Sequence, residues 1–205
     1  MVRLFRRNRL LSVAVLVCAS LGLLAVLSAC GSPVTGVKSY TSEKFGYSFA
    51  YPAAWELRES DSADVSAGGT AVDAVGVFNP KGAVADKTYI DLAQVTVYKM
   101  TQAIDASMMP QVRTEVERVL ASLESQAPDM QTVEPLSETT VGATSGFKVT
   151  YTFSQNGTPT TSTLYFLFSG DTEYQLTLQA ATESWSANQP VFAALLASFR
   201  PSPGQ

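Results

Sequence analysis

FKVTYTFSQNGTPTTSTLYFLF, residues 147–168, decides the fold class. Phe147, Val149, Tyr151 and Phe153 alternate with Lys148, Thr150, Thr152 and Ser154. Period two with one apolar face predicts a strand lying on a core. Asn156-Gly157 is the preferred pair for a two-residue type I′ turn, because both central residues need positive φ. The chain then returns through 160–168 and ends in Leu164-Tyr165-Phe166-Leu167-Phe168. That run has no polar face left, which predicts a central strand buried on both sides. Ser169-Gly170-Asp171-Thr172 reads as a further turn. Beyond it, Tyr174, Leu176, Leu178 and Ala180 alternate with Glu173, Gln175, Thr177 and Gln179, which predicts another strand.

Upstream the period changes. Val112, Val116, Val119, Leu120 and Leu123 form an apolar stripe at helical spacing over 108–126. Ser107 or Met109 stands at the N-cap, Pro110 is tolerated in the first turn, and Pro128 closes the element. Arg113 and Glu117 lie one turn apart on the polar side. Residues 131–140 read as a weaker, polar strand. Before the helix, strands are predicted over 45–51, 71–78 and 88–100, the last with a bulge between Leu92 and Val95 where the apolar phase shifts. Residues 58–70 read as a polar loop. A second helix is predicted over about 188–199, with Phe192, Leu195, Leu196 and Phe199 on one face and Pro201 as its stop. Strands, a helix, an antiparallel meander and a closing helix make an α+β domain, an antiparallel sheet covered by helices. No repeat or internal linker divides it.

The amino terminus has a different chemistry. Arg3, Arg6, Arg7 and Arg9 precede an apolar run over residues 10–27, and Leu27-Ser28-Ala29-Cys30-Gly31 follows. A basic start, an apolar core and small residues before a cut is the pattern of a secretory signal. The run resembles a bacterial lipobox. That resemblance implies cleavage before Cys30 and diacylglyceryl transfer to its sulfur. Residues 1–29 are then a removed signal, residues 30–39 the lipidated Cys and a flexible tether, and residues 40–201 a single domain. Arg6-Arg7 leaves the twin-arginine export route open beside the general one. Cys18 leaves with the signal, so the body carries no thiol.

Without its first 29 residues the chain has 10 basic side chains against 18 acidic ones, a net charge of −8. That balance argues against nucleic acid as a partner, since phosphate binding needs clustered Lys and Arg. No histidine occurs anywhere, which excludes His-based triads and His-ligated metals.

Phe45-Gly46-Tyr47-Ser48-Phe49-Ala50-Tyr51-Pro52-Ala53-Ala54-Trp55 resembles the opening of PsbP-like domains, in which an aromatic strand runs into Tyr-Pro and then a Trp. Phe192 through Ser198-Phe199-Arg200 resembles the closing helix of that family. The resemblance covers about residues 40–200 in element order and implies the Mog1/PsbP fold, an α/β/α sandwich on an antiparallel sheet. The family includes a photosystem II subunit, a GTPase-binding protein and envelope lipoproteins, so it implies no single function.

The remaining candidates for chemistry are sparse. Glu59, Asp61 and Asp64 crowd one segment but match no calcium loop. Glu56, Asp73, Asp91 and Glu173 lie on or beside strands and are expected to face water. No Ser-x-x-Lys, phosphate loop or nucleophile elbow occurs. The expectation is a non-enzymatic protein without cofactor or metal. Aromatic residues are dense, and Met100, Met108, Met109 and Met130 cluster around the first helix. Met108, Met109, Trp55, Tyr151 and Phe166 are the candidates to line an apolar groove between sheet and helix, able to hold an acyl chain. The expected partners are the membrane, through lipid on Cys30, and an envelope or membrane protein. The alternative is a lipid or glycolipid carrier.

Overall fold

The computed structural model describes residues 36–60 and 71–201. Two antiparallel strands open it, β1 (Val37–Ser42) and β2 (Tyr47–Pro52). β3 (Glu56–Ser60) and β4 (Ala71–Phe78) follow, then a small hairpin of β5 (Val84–Ala85) and β6 (Thr88–Tyr89). β7 (Leu92–Ile104) leads through a short 3-10 turn into α1 (Met109–Gln126). β8 (Gln131–Val141), β9 (Thr144–Gln155) and β10 (Thr158–Ala181) come next, then α2 (Trp185–Ser198) and β11 (Arg200–Pro201).

Six strands form the main sheet in the order β3-β4-β7-β10-β9-β8, each neighbour antiparallel. Its two faces bury different sets because strand side chains alternate. Val112, Val116 and Leu120 of α1 pack with Phe147, Val149, Leu164, Phe166 and Phe168 on one face. On the other, Val75, Val95, Leu167, Tyr174 and Leu176 meet the small β1-β2-β11 sheet and α2, through Tyr47, Phe49, Trp55, Phe192 and Phe199. Phe166 and Leu167 thus go to opposite cores, as the unbroken apolar run requires. The result is an α+β sandwich with one helix on each side of the sheet.

Several boundaries differ from the sequence reading. Residues 37–39 are not tether; they pair with 50–52, and Tyr40 packs its ring against Tyr47 and Phe49 at 5.9 and 5.5 Å. The first predicted strand begins at Tyr47, because residues 43–46 are the turn that joins it to β1. Residues 58–60, read as loop, continue β3. The strand expected over 88–100 is the second strand of a small hairpin, residues 88–89, followed by β7, and β7 has no bulge at Leu92. Its register to β4 and β10 is unbroken from Leu92 to Val97, with Leu92 on the opposite face from Ala93 and Val95.

The turn expected at 169–172 is a bend, and β10 runs on for 24 residues. Gly170 takes φ +59°, and the register to β7 slips between Gly170 and Thr172. Such a bulge re-aims a strand without reversing it. The first half of β10, Thr158–Leu167, pairs with β9, and the second, Thr172–Gln179, with β7. The hairpin at Asn156-Gly157 is as read, with φ +49° and +82°.

The start of α1 is capped differently from expectation. Met108 is its N-cap and makes no side-chain cap bond; the Asp105 carboxylate instead accepts from the Ser107 amide at 2.8 Å in the preceding turn. Arg113 and Glu117 pair at 3.0 Å as read. The second helix starts earlier, at Trp185, and contains Pro190.

Candidate functional site

Alternation along β10 and β7 gives the site its floor. Tyr174, Leu176 and Leu178 turn toward α2, so Glu173, Gln175, Thr177 and Gln179 all turn toward the α1 side. Cross-strand pairing sets Tyr98 beside Glu173, Thr96 beside Gln175 and Gln94 beside Thr177. Two adjacent central strands therefore present amides and hydroxyls on one face. The apolar stripe of α1 covers the β9 end of that face and leaves the rest under its C-terminal turn.

Burial of these polar groups departs from the sequence reading. Glu173 is 7% exposed and Gln175 3%. Asp91 is also buried, although expected to face water. Glu56 is exposed as expected, and Asp73 accepts from the Tyr47 hydroxyl at 2.9 Å. The reason is the sheet order: β7 and β10 are central, so both faces are covered whatever their polarity. Burial pushes the Glu173 carboxyl up to about 7. Burial first, and the nearby Glu173, push the Tyr98 phenol up to about 12.

Asp91 has a structural role. Its carboxylate accepts from the Ala181 amide at 3.0 Å, Ser184 Oγ at 3.0 and 3.1 Å, and Asn188 Nδ2 at 3.2 Å. It ties the start of β7 to the end of β10 and the first turn of α2.

Grooves open around α1. The first, about 660 Å³, lies over the polar floor beside the C-terminal end of α1. Gln94, Thr96, Leu164, Gln175 and Thr177 form its base, and Leu123 and Met130 its helical side. Two aromatic pairs flank it. Phe78 and Tyr89 stand with centroids 5.6 Å apart at the β4 side, and Tyr151 and Phe153 5.6 Å apart at the β9 side. Gly76 makes room for the first pair, since a Cβ there would stand 2.6 Å from the Phe78 ring. The Arg58 guanidinium lies over Phe78 and Tyr89 at 5.4 and 4.8 Å from their centroids, and pairs with Glu56 at 3.1 Å. The second groove, about 560 Å³, runs beside the helix start and takes in Met100, Met108, Phe166 and Glu173. The third, about 900 Å³, is lined by Met109, Phe147 and Phe168 on the other flank.

The five residues expected to share one apolar groove are therefore not together. Met108 and Phe166 meet in the second groove, Tyr151 lines the first and Met109 the third. Trp55 is on the opposite face of the sheet, packed edge-on against Phe192 at 6.5 Å. It follows β2, which belongs to the small sheet on the α2 side, and no strand alternation could bring it to α1. The polar floor was not singled out in the sequence. Its signal is two neighbouring strands whose polar faces carry mostly Gln and Thr, with Glu173 as the single acid.

Cys30 and the lipobox, and Asp61 and Asp64, lie outside the described residues. Among the described residues no group of three or more potential metal ligands comes together, and no helix is long and apolar enough to cross a membrane.

No family model and no curated protein matches the chain. Solved structures do. The solution structure of the cyanobacterial PsbP of Synechocystis matches at TM-score 0.53 and 16% identity, over 85% of this chain and 98% of that one. LpqN of Mycobacterium tuberculosis, described as involved in cell envelope biogenesis, matches at TM-score 0.52 and 14% identity, over 82% and 92%. A Bacteroides thetaiotaomicron protein matches at TM-score 0.49 and 15% identity over 80% of this chain, which spans only 48% of that protein. Identities this low speak to architecture alone. With its antiparallel sheet and a helix on each face, the chain has the PsbP-like fold, the Mog1/PsbP type of α/β/α sandwich.

Proposed function

We propose that the chain is a non-enzymatic binding module of the cell envelope, anchored by lipid on Cys30 at the extracytoplasmic face of the membrane. Residues 1–29 are its signal, and its partner is an envelope or membrane protein. One observation carries this reading: Val37 already belongs to β1, so only residues 31–36 lie between Cys30 and the sheet. Six residues reach at most about 20 Å when extended. A lipid on Cys30 therefore holds the domain against the bilayer, and its partner is there too. LpqN, which shares the fold, is described as involved in cell envelope biogenesis. The net charge of −8 disfavours lying flat on anionic lipid, which attracts basic segments.

The test has two arms. Cells expressing Cys30→Ala are fed a labelled fatty acid, and no label is expected on the protein; retained label overturns the anchor. Lengthening residues 31–36 by about twenty Gly/Ser residues adds flexible reach and should weaken in-cell crosslinks to the partner without changing Tm. Crosslinks indifferent to that length count against membrane-proximal docking.

The second reading, a lipid or glycolipid carrier, is favoured by the first groove, whose volume suits a small ligand. Its amide and hydroxyl floor suits a polar head better than an acyl chain, because burying such groups against hydrocarbon leaves them without partners.

A further inference from the structure

The floor of the first groove contains a donor with nothing to donate to. Gln175 is 3% exposed and lines the groove, and its Nε2, sealed from solvent, has no hydrogen-bond partner among the described residues. Buried polar groups are nearly always paired, so an orphan in a cavity wall calls for an external acceptor. Its neighbours are differently placed. Gln179 Nε2 donates to Ile90 O at 3.1 Å and Gln155 Oε1 at 2.9 Å, and is spent on the fold. Gln94 Nε2 donates to Thr96 Oγ1 at 3.0 Å, which leaves its second amide hydrogen and its carbonyl oxygen for other use. Thr177 sits beside Gln94 across the β7–β10 pair.

These groups define the ligand. Carboxamides and hydroxyls each donate and accept, and carry no charge. Their complement is a ligand dense in groups that also do both, namely hydroxyls. The charges at the rim, Arg58 and Glu59, are of opposite sign, so no net field selects an ion. Phe78 on β4, with Tyr89 of β6 against it, and Tyr151 and Phe153 on β9 stand three strand spacings apart, roughly 14 Å at ~4.8 Å each. Their rings offer apolar surface at the two ends of the groove to the C–H faces of sugar rings seated there. An acyl chain would match the rings but strand the amides.

We propose that this groove is a saccharide-binding site, in which the Gln175 carboxamide turns over to donate from Nε2 to a sugar oxygen and Gln94, Thr96 and Thr177 complete the hydroxyl contacts. The assignment deepens the binding-module reading but is independent of the lipid anchor: failure of Cys30 acylation would leave it standing. The sugar can be a free or polymeric glycan or the head of a glycolipid, and the same chemistry recognises both.

The test uses the full chain in a zwitterionic detergent without sugar groups. It is titrated calorimetrically with neutral mono- and disaccharides of glucose, galactose, mannose and arabinose, with their octyl glycosides, and with laurate. Saturable binding of at least one sugar or octyl glycoside is expected, weakened tenfold or more by Gln175→Leu. Leucine removes the orphan donor at similar volume, so Tm should hold or rise, which separates lost binding from lost folding. Tyr151→Ala should weaken the same ligand. Equal affinity for a free disaccharide and its octyl glycoside identifies a glycan; binding of the glycoside alone identifies a glycolipid head, and either supports the site. No sugar binding, sugar binding indifferent to Gln175→Leu, or laurate binding that competes with the sugar's place, overturns it.

Discussion

Replacing Asp91 by alanine tests whether one buried carboxylate fastens α2 to the sheet. Asp91 is 2% exposed and accepts from Ala181 N, Ser184 Oγ and Asn188 Nδ2. The three donors fare differently once it is gone. Ser184 Oγ keeps the Ala181 carbonyl at 3.1 Å, and Asn188 Nδ2 keeps the Ser184 carbonyl at 3.1 Å. Only the Ala181 amide is fully orphaned. A buried unpaired donor costs ~1–3 kcal/mol, and each lost bond to a charged acceptor up to ~1.5–3 kcal/mol before the relief of desolvation. The expected loss is about 3–4 kcal/mol. Asp91→Asn keeps the shape and one acceptor oxygen but turns an amide donor toward another donor, so it should cost about half as much. Urea unfolding followed by fluorescence of Trp55 and Trp185 measures both; Trp185 begins α2, one residue after Ser184. With m of ~1–3 kcal/mol/M, the alanine variant should lower the midpoint by at least about 1 M. A loss below about 1 kcal/mol, or equal losses for Asn and Ala, would refute the network as the fastening.

Gly146→Ala should abolish folding or cost more than ~3 kcal/mol, because its Cβ would stand 1.8 Å from the Phe166 carbonyl oxygen and force β9 off β10; thermal unfolding and soluble yield report it, and a wild-type Tm would contradict that close approach. Glu173 makes stability depend on pH. Its carboxyl titrates near 7 when folded and near 4.5 when unfolded, so folding favours the protonated form. Its stabilisation is full below about pH 4.5 and is lost as pH rises through 7, by up to ~3 kcal/mol. Urea midpoints at pH 5 and pH 8 should therefore differ by less in Glu173→Gln than in the parent; an unchanged difference would mean the carboxylate is solvated. Tyr47→Phe should cost ~1 kcal/mol in the same assay by removing the 2.9 Å bond to Asp73.

Where the chain alternates or carries a stripe, the sequence was legible. The strand 71–78 matches β4 residue for residue, and the helix over 108–126 differs from α1 by one residue at its start. The hairpin at Asn156-Gly157 and the two-sided burial of 164–168 followed from turn chemistry and from the absence of a polar face. The misread segments share a cause. Residues 37–39 and 58–60 are too polar to read as strands, because each lies at a sheet edge, where one partner strand and solvent suffice. Ser169–Thr172 has the composition of a turn, and only the partners on either side show that the chain bends there without reversing.

The sequence by itself determined the class: an antiparallel α+β sandwich, free of histidine, acidic over its body and preceded by a lipobox-like segment. It did so because periodicity and turn residues are local, and local geometry follows from them directly. Which polar face becomes a buried floor is a different kind of fact. Glu173, Gln175 and Gln179 look like a solvated edge until β10 is seen to lie between β7 and β9 with α1 across the same face. Trp55, Tyr151 and Phe166 look like one aromatic wall until the sheet sets Trp55 on the face opposite the other two. Strand order and the side a helix takes are set by contacts far apart in the chain, and those contacts decided where the groove lies and which residues line it.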